Sequence, residues 1–108
     1  MPTGGLIHVE PGTPLQAANH MIETSLEVQG VAMAAAGAGD PHRALLLGGS
    51  VEALWESLGT SLSVAFWDAL LGRYIGDARQ HLGADADAVW SEGRAMAFDE
   101  AIDLALGP

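Results

Sequence analysis

Apolar residues recur at intervals of three and four positions along most of the chain, which is the spacing of amphipathic α-helices. The first stripe follows Thr13-Pro14, where threonine is a good N-cap and proline fits the first helical position, and it ends at Gly37. The second repeats this start at Asp40-Pro41 and ends at Gly59. The apolar positions of the two predicted helices are Leu15, Ala18, Ile22, Leu26 and Met33, then Ala44, Leu47, Val51, Leu54 or Trp55, and Leu58.

Three further helices are predicted in the second half of the chain. They run from Thr60 or Ser63 to Leu82, from an Asp85 cap to Gly93, and from Phe98 to Leu106. Sustained alternation of apolar and polar residues, which would indicate strands, is absent. Because the loops are short, successive helices should pack antiparallel. The predicted fold class is therefore all-α, with about five helices in antiparallel hairpins that form a tetratricopeptide-like array.

Two glycines interrupt the second predicted helix, Gly48 and Gly49, and two interrupt the third, Gly72 and Gly76. Each costs about 1 kcal/mol relative to alanine in a helix interior. Helices usually tolerate that cost where a neighbouring backbone approaches closely. We therefore expect all four glycines to be packing positions.

The length of 108 residues corresponds to one domain. Residues 1–12 are predicted to form an irregular arm, because prolines and glycines surround the short apolar run Leu6-Ile7-His8-Val9. Residues 13–108 are predicted to form a single helical domain.

Composition and charge argue against several classes of function. Hydrophobic residues make up 49% and charged residues 17%, which argues against disorder. The 14 acidic and 4 basic residues give a net charge of −10, which argues against direct binding to nucleic acid or to an anionic membrane. No cysteine is present, so disulfides and thiolate chemistry are excluded. With neither a spanning apolar run nor a secretory signal, the expected location is cytoplasmic.

Residues 31–45 resemble the centre of a tetratricopeptide repeat, with small residues, a Gly39-Asp40 turn and Ala44 at a close helix crossing. Over a longer span, residues 25–106 are similar to the C-terminal helical region of large, mostly actinobacterial signalling proteins. These include LuxR-type and SARP-like transcriptional regulators and cyclase-associated predicted ATPases. The similarity lies in the order and spacing of four segments: residues 39–48, 51–59, 89–96 and 99–102.

The chain departs from that family at several points. Gly49 stands where the family usually has alanine, and Ala97 stands where it often has a serine that caps the last helix. Without that serine, one cap bond should be missing and the last helix should fray. The chain also lacks a phosphate-binding glycine loop and a basic recognition helix. The resemblance therefore implies an interaction or sensing module, without catalytic residues or a cofactor, in a bacterial regulator.

Histidines and carboxylates are the candidates for metal or acid–base chemistry. His20 with Glu23, and Asp77 with His81, could each supply two ligands from one helix face. One alternative hypothesis is accordingly a metal-dependent enzyme that uses His20, His81 and carboxylates. No metal-binding motif links these residues, and no serine lies in a nucleophile elbow. We therefore predict no catalytic and no metal site.

Surplus apolar residues on the first helix carry the main prediction about partners. They exceed one buried face, so a second copy or another protein should cover them, and a homodimer is the simplest arrangement. The predicted interface residues are Leu15, Met21, Ile22, Leu26, Val28 and Met33. An alternative is a small-molecule sensor with a pocket near Trp55, Trp67 and Tyr74. Arg94 is expected to pair with Asp99 or to cap a helix end.

Overall fold

A computed structural model of the chain describes residues 14–60 and 64–107. Five α-helices are present there: α1 (Pro14–Gly37), α2 (Pro41–Leu58), α3 (Ala65–Leu82), α4 (Ala86–Ala95) and α5 (Phe98–Leu106). A short 3₁₀ turn, Gly83–Asp85, joins α3 to α4. No strand occurs in these two ranges, so the predicted all-α class is confirmed. The predicted arm, residues 1–12, and the Thr13 cap lie outside the described residues.

Helix α2 is the centre of the molecule, because it packs against each of the other four helices. Residues 44–51 are all buried, and this run includes Leu45, Leu47 and Val51 at 0% exposure. A helix that is apolar on every side can be stable only when it is surrounded. The chain itself therefore covers the apolar middle of α2.

Contacts along α2 fix the direction of its neighbours. Helix α1 runs antiparallel to it, since Trp55 meets Ser25 near one end and Ala35 meets Ala44 near the other. Helix α3 runs parallel to α1, since Trp67 meets Gly30 and Tyr74 meets Gly37, so it is antiparallel to α2. Helix α4 crosses α2 where Trp90 meets Gly48 and Gly93 meets Leu46. Helix α5 is not stacked onto α3 and α4 as a further repeat would be. It returns to pack on α1 and α2, through Ala101 in the core.

The crossing of α2 and α4 depends on three glycines. A Cβ atom on Gly49 would overlap the backbone of Trp90, and one on Gly48 would lie 2.7 Å from the Trp90 ring. The expected close approach at Gly48 and Gly49 is thus confirmed. Gly93 lies inside α4 against the Leu46 backbone, so the prediction that it ends the helix was wrong.

Helix ends match the sequence prediction in part. Asp40 caps α2 by accepting a hydrogen bond from the Arg43 N–H, 3.2 Å away, as expected. Asp85 makes no cap bond to α4, contrary to the prediction, because it lies in the 3₁₀ turn with helical backbone angles. At α5, Glu100 accepts from the Ala97 N–H at 3.3 Å, while the alanine methyl has no oxygen to complete the reciprocal cap.

Candidate functional site

The predicted interface residues of α1 divide into two groups. Val28 is 3% exposed and lies in the core with Leu47 and Ala101, so its assignment to an interface was wrong. Its side chain points toward the helices that α1 already packs on. The remaining residues with described side chains are half-buried and keep part of their apolar surface in solvent: Met21, Ile22, Leu26 and Met33. For Leu15 only the backbone is described.

Helix α1 is longer than the helices beside it. Because the Trp55 indole contacts Ser25 and α2 ends at Leu58, the last residue of α2 lies beside Ile22. Residues 14–21 of α1 therefore extend about 12 Å past that point, at 1.5 Å per residue. No other helix in the described part of the chain reaches this level.

The extension of α1 belongs to an end of the molecule that is rich in exposed apolar side chains. Helix α3 begins about 10 Å short of the Ile22 level, since Trp67 near its start contacts Gln29. At this start Phe66 is 72% exposed, and Val64, which precedes the helix, is 57% exposed. Sequence periodicity missed these two, because they precede the stripe of α3. We call this surface the apolar end and define it by Met21, Ile22, Leu26, Leu58, Val64 and Phe66.

The three rings proposed for a pocket do not surround one cavity. The Trp55 indole N–H donates to Ser25 Oγ at 2.7 Å, and Ser25 in turn donates to the Ile22 carbonyl at 2.6 Å. The Trp67 indole N–H donates to Gln29 Oε1 at 2.7 Å. Tyr74 lies against Gly37, near the other end of α1. Two of these rings thus satisfy buried polar groups of α1, which the sequence pattern did not indicate.

A groove of about 500 Å³ lies between α2 and α3, and of the three predicted rings it includes Trp55 but not Trp67 or Tyr74. Its α3 wall consists of Leu71, Gly72, Ile75 and Gly76, and Trp55 lines the α2 side. Within the described chain, a Cβ atom on Gly72 or Gly76 would meet nothing within 4 Å. The expectation that these two glycines are packing positions was therefore wrong, since they face open space in the groove. We call this site the glycine-walled groove.

Helix α4 closes the opposite side of the glycine-walled groove with Trp90, which packs against Gly48. The Arg79 guanidinium lies over the Trp90 ring, 4.9 Å from its centroid, and donates to Asp87 at 2.9 Å. Sequence reasoning had not connected these residues, because they come from helices whose relative rotation only the fold determines.

Charged groups at the other end of the glycine-walled groove form a small network. Arg94 donates to Glu52 Oε1 at 2.5 Å and to Glu56 Oε2 at 2.8 Å. Its predicted pairing with Asp99 was wrong, since α5 leaves α4 and packs on α1 and α2. The hydrogen bond with Glu56, followed by the charges of both carboxylates, raises the pKa of Arg94 above its usual range. Arg94 thus stays protonated at any physiological pH.

Histidines and carboxylates do not converge on a site. His20 lies near the start of α1 and His81 near the end of α3, and these two helices run parallel, so the residues lie toward opposite ends of the bundle. Among the described residues, no three His, Asp or Glu side chains are placed to hold a metal ion. The described helices also include none with the length and apolar character needed to cross a membrane.

We compared the chain with protein-family models, with curated proteins and with solved structures, and none of them matches it. The arguments about function that follow accordingly rest on the apolar end and the glycine-walled groove.

Proposed function

We propose that this chain is a non-enzymatic protein-interaction module of a bacterial transcriptional or signalling regulator. The observation that carries the proposal is the extension of α1 past α2 and α3. In proteins most helical stability comes from the packing of an apolar face, and neither α2 nor α3 reaches this segment. Met21 in this segment and Ile22 just after it are half-buried, and a partner would bury the apolar surface that they keep in solvent.

The proposed occupant of the apolar end is a second copy of the chain. Two-fold packing would place the extended segment of each α1 against Phe66 and Val64 of the other copy and bury apolar surface on both sides. The repulsion between two chains of charge −10 opposes this contact. Because salt screens that repulsion and leaves apolar burial intact, the dimer should become tighter as ionic strength rises.

The assignment to a regulator rests on the resemblance of residues 25–106 to the helical tails of actinobacterial regulators. In this proposal the module acts in the cytoplasm, uses no cofactor and does not contact nucleic acid directly. The excess of carboxylates and the absence of lysine support the last point.

Size-exclusion chromatography with light scattering at ~10 µM tests the proposal, since obligate interfaces are large and apolar. We expect twice the chain mass of 11.1 kDa. Ile22→Asp and Phe66→Asp should each give a monomer, because a carboxylate would be buried in the contact. Leu106→Asp is the matched control: Leu106 is 81% exposed but lies at the opposite end, beside Arg43, so this variant should remain a dimer. A monomeric wild type, or a dimer unaffected by either substitution at the apolar end, would refute the proposal.

A further inference from the structure

Two glycines of the glycine-walled groove have no explanation in the folding of the chain itself. Gly72 and Gly76 lie one turn apart in the interior of α3, where glycine is unfavourable. No atom of the described chain would obstruct a side chain at either position. Their effect is to keep open a space that Leu71 and Ile75 would otherwise share with two further side chains.

The volume and the lining of the glycine-walled groove suit a small ligand. About 500 Å³ is within the range of pockets that hold small molecules, and such pockets are mostly apolar with a few polar groups. The α3 wall from Leu71 to Arg79 is about 12 Å long, which matches a molecule of two or three fused rings. Trp55 supplies aromatic surface on the other side, where Trp90 also lines the groove but already packs against Gly48 and beneath the Arg79 guanidinium.

The charges around the groove indicate the sign of the charge that the ligand should carry. At one end Arg79 is paired with Asp87, so the two charges balance there. At the other end, Arg94 forms ion pairs with both Glu52 and Glu56. Because one guanidinium balances only one of the two carboxylates, this cluster keeps one negative charge, and Glu52 lines the groove. A cation placed there would also meet the Trp55 ring, and cations are attracted to indole faces.

We propose that the glycine-walled groove binds a planar aromatic cation. The ring system lies between the α3 wall and the indoles, and the positive group lies at the end marked by Glu52 and Trp55. This site is separate from the apolar end, so it does not depend on the proposed dimer.

Three fluorescent or absorbing probes of similar size test the sign of the charge: proflavine as the cation, phenylnaphthylamine as the neutral compound and anilinonaphthalene sulfonate as the anion. Their dissociation constants are measured by calorimetry, with tryptophan quenching as a second readout. We expect proflavine to bind about tenfold more tightly than the anion, with the neutral probe between them. Equal or tighter binding of the anionic probe would overturn the proposal.

Variants of the chain test whether the probe binds in the glycine-walled groove. Gly76→Leu should fill the groove and abolish proflavine binding, whereas Ala69→Leu, on an exposed position of α3 outside the groove, should leave it unchanged. Glu52→Gln should weaken proflavine about fivefold without affecting the neutral probe. Glu92→Gln is its control, because Glu92 is an exposed carboxylate of α4 that does not line the groove.

Proflavine binding that survives Gly76→Leu would show that the dye binds elsewhere, and the proposal would be wrong. It would also be wrong if Gly76→Leu abolished dimerisation in light scattering while no probe bound, because the groove would then be a contact between two chains. Loss of the dimer through Ile22→Asp with proflavine binding retained would contradict neither proposal.

Discussion

Individual glycines in this chain have opposite roles that their sequence positions do not reveal. Gly93→Ala would force a methyl group into the Leu46 backbone, and we expect the free energy of unfolding to fall by about 2–3 kcal/mol, as for other overpacked sites. Gly72→Ala, in open space, should instead raise it by about 0.5–1 kcal/mol through helix propensity. Urea denaturation of both variants measures the two effects. Similar changes of the same sign would contradict the assignment of these two positions.

The sequence predicted Gly48 and Gly49 as close-packing positions but failed at Gly72, Gly76 and Gly93. An interior glycine indicates only that a side chain is unnecessary or harmful at that position. Whether it faces a backbone, as Gly93 faces Leu46, or an open groove depends on the rotation of each helix about its axis. Helix periodicity gives this rotation only roughly where most positions are alanine, leucine or glycine.

At the scale of whole elements, helix bounds were the most predictable feature. The Asp40-Pro41 start of α2 and the Phe98–Leu106 span of α5 follow from local chemistry, which a single sequence contains. What holds α5 in place could not be predicted in this way. The Arg43 side chain donates to the carbonyls of Leu104 and Gly107 at 2.7 and 2.9 Å, more than sixty positions away.

Arg43 therefore acts as a distant cap for the last helix. Arg43→Met should lower stability by about 1–3 kcal/mol, the scale of hydrogen bonds to a charged donor, and should speed amide hydrogen exchange mainly in α5. Arg73→Met is the control, since Arg73 is exposed and lies over the Tyr74 ring on the surface. If exchange in α5 stayed as slow in Arg43→Met as in Arg73→Met, the capping role would be excluded.

At the scale of the whole molecule, the sequence indicated an all-α array but placed its surplus apolar surface on α1. Helical spacing predicts one apolar face for α2, which is what a helix at the surface of a bundle buries. Residues 44–51 are instead buried on every side of the helix. Only the return of α5 to α1 and α2 makes α2 central. Among the described residues, two of the exposed large apolar side chains, Val64 and Phe66, lie at the start of α3 in the apolar end, and a third, Leu106, lies at the opposite end.

A central α2 also determines how the molecule should unfold. Leu47 is fully buried where α1, α2 and α5 meet, so Leu47→Ala should cost about 2–5 kcal/mol, the usual range for a buried leucine. Because α2 contacts every other helix, the loss should appear as one cooperative transition, with exchange protection falling together in all five helices. Leu106→Ala, at an exposed position of α5, should change stability by less than about 0.5 kcal/mol. If Leu47→Ala released α1 or α5 while α2, α3 and α4 kept their protection, the bundle would consist of separable units, and α2 would not be the element that unites it.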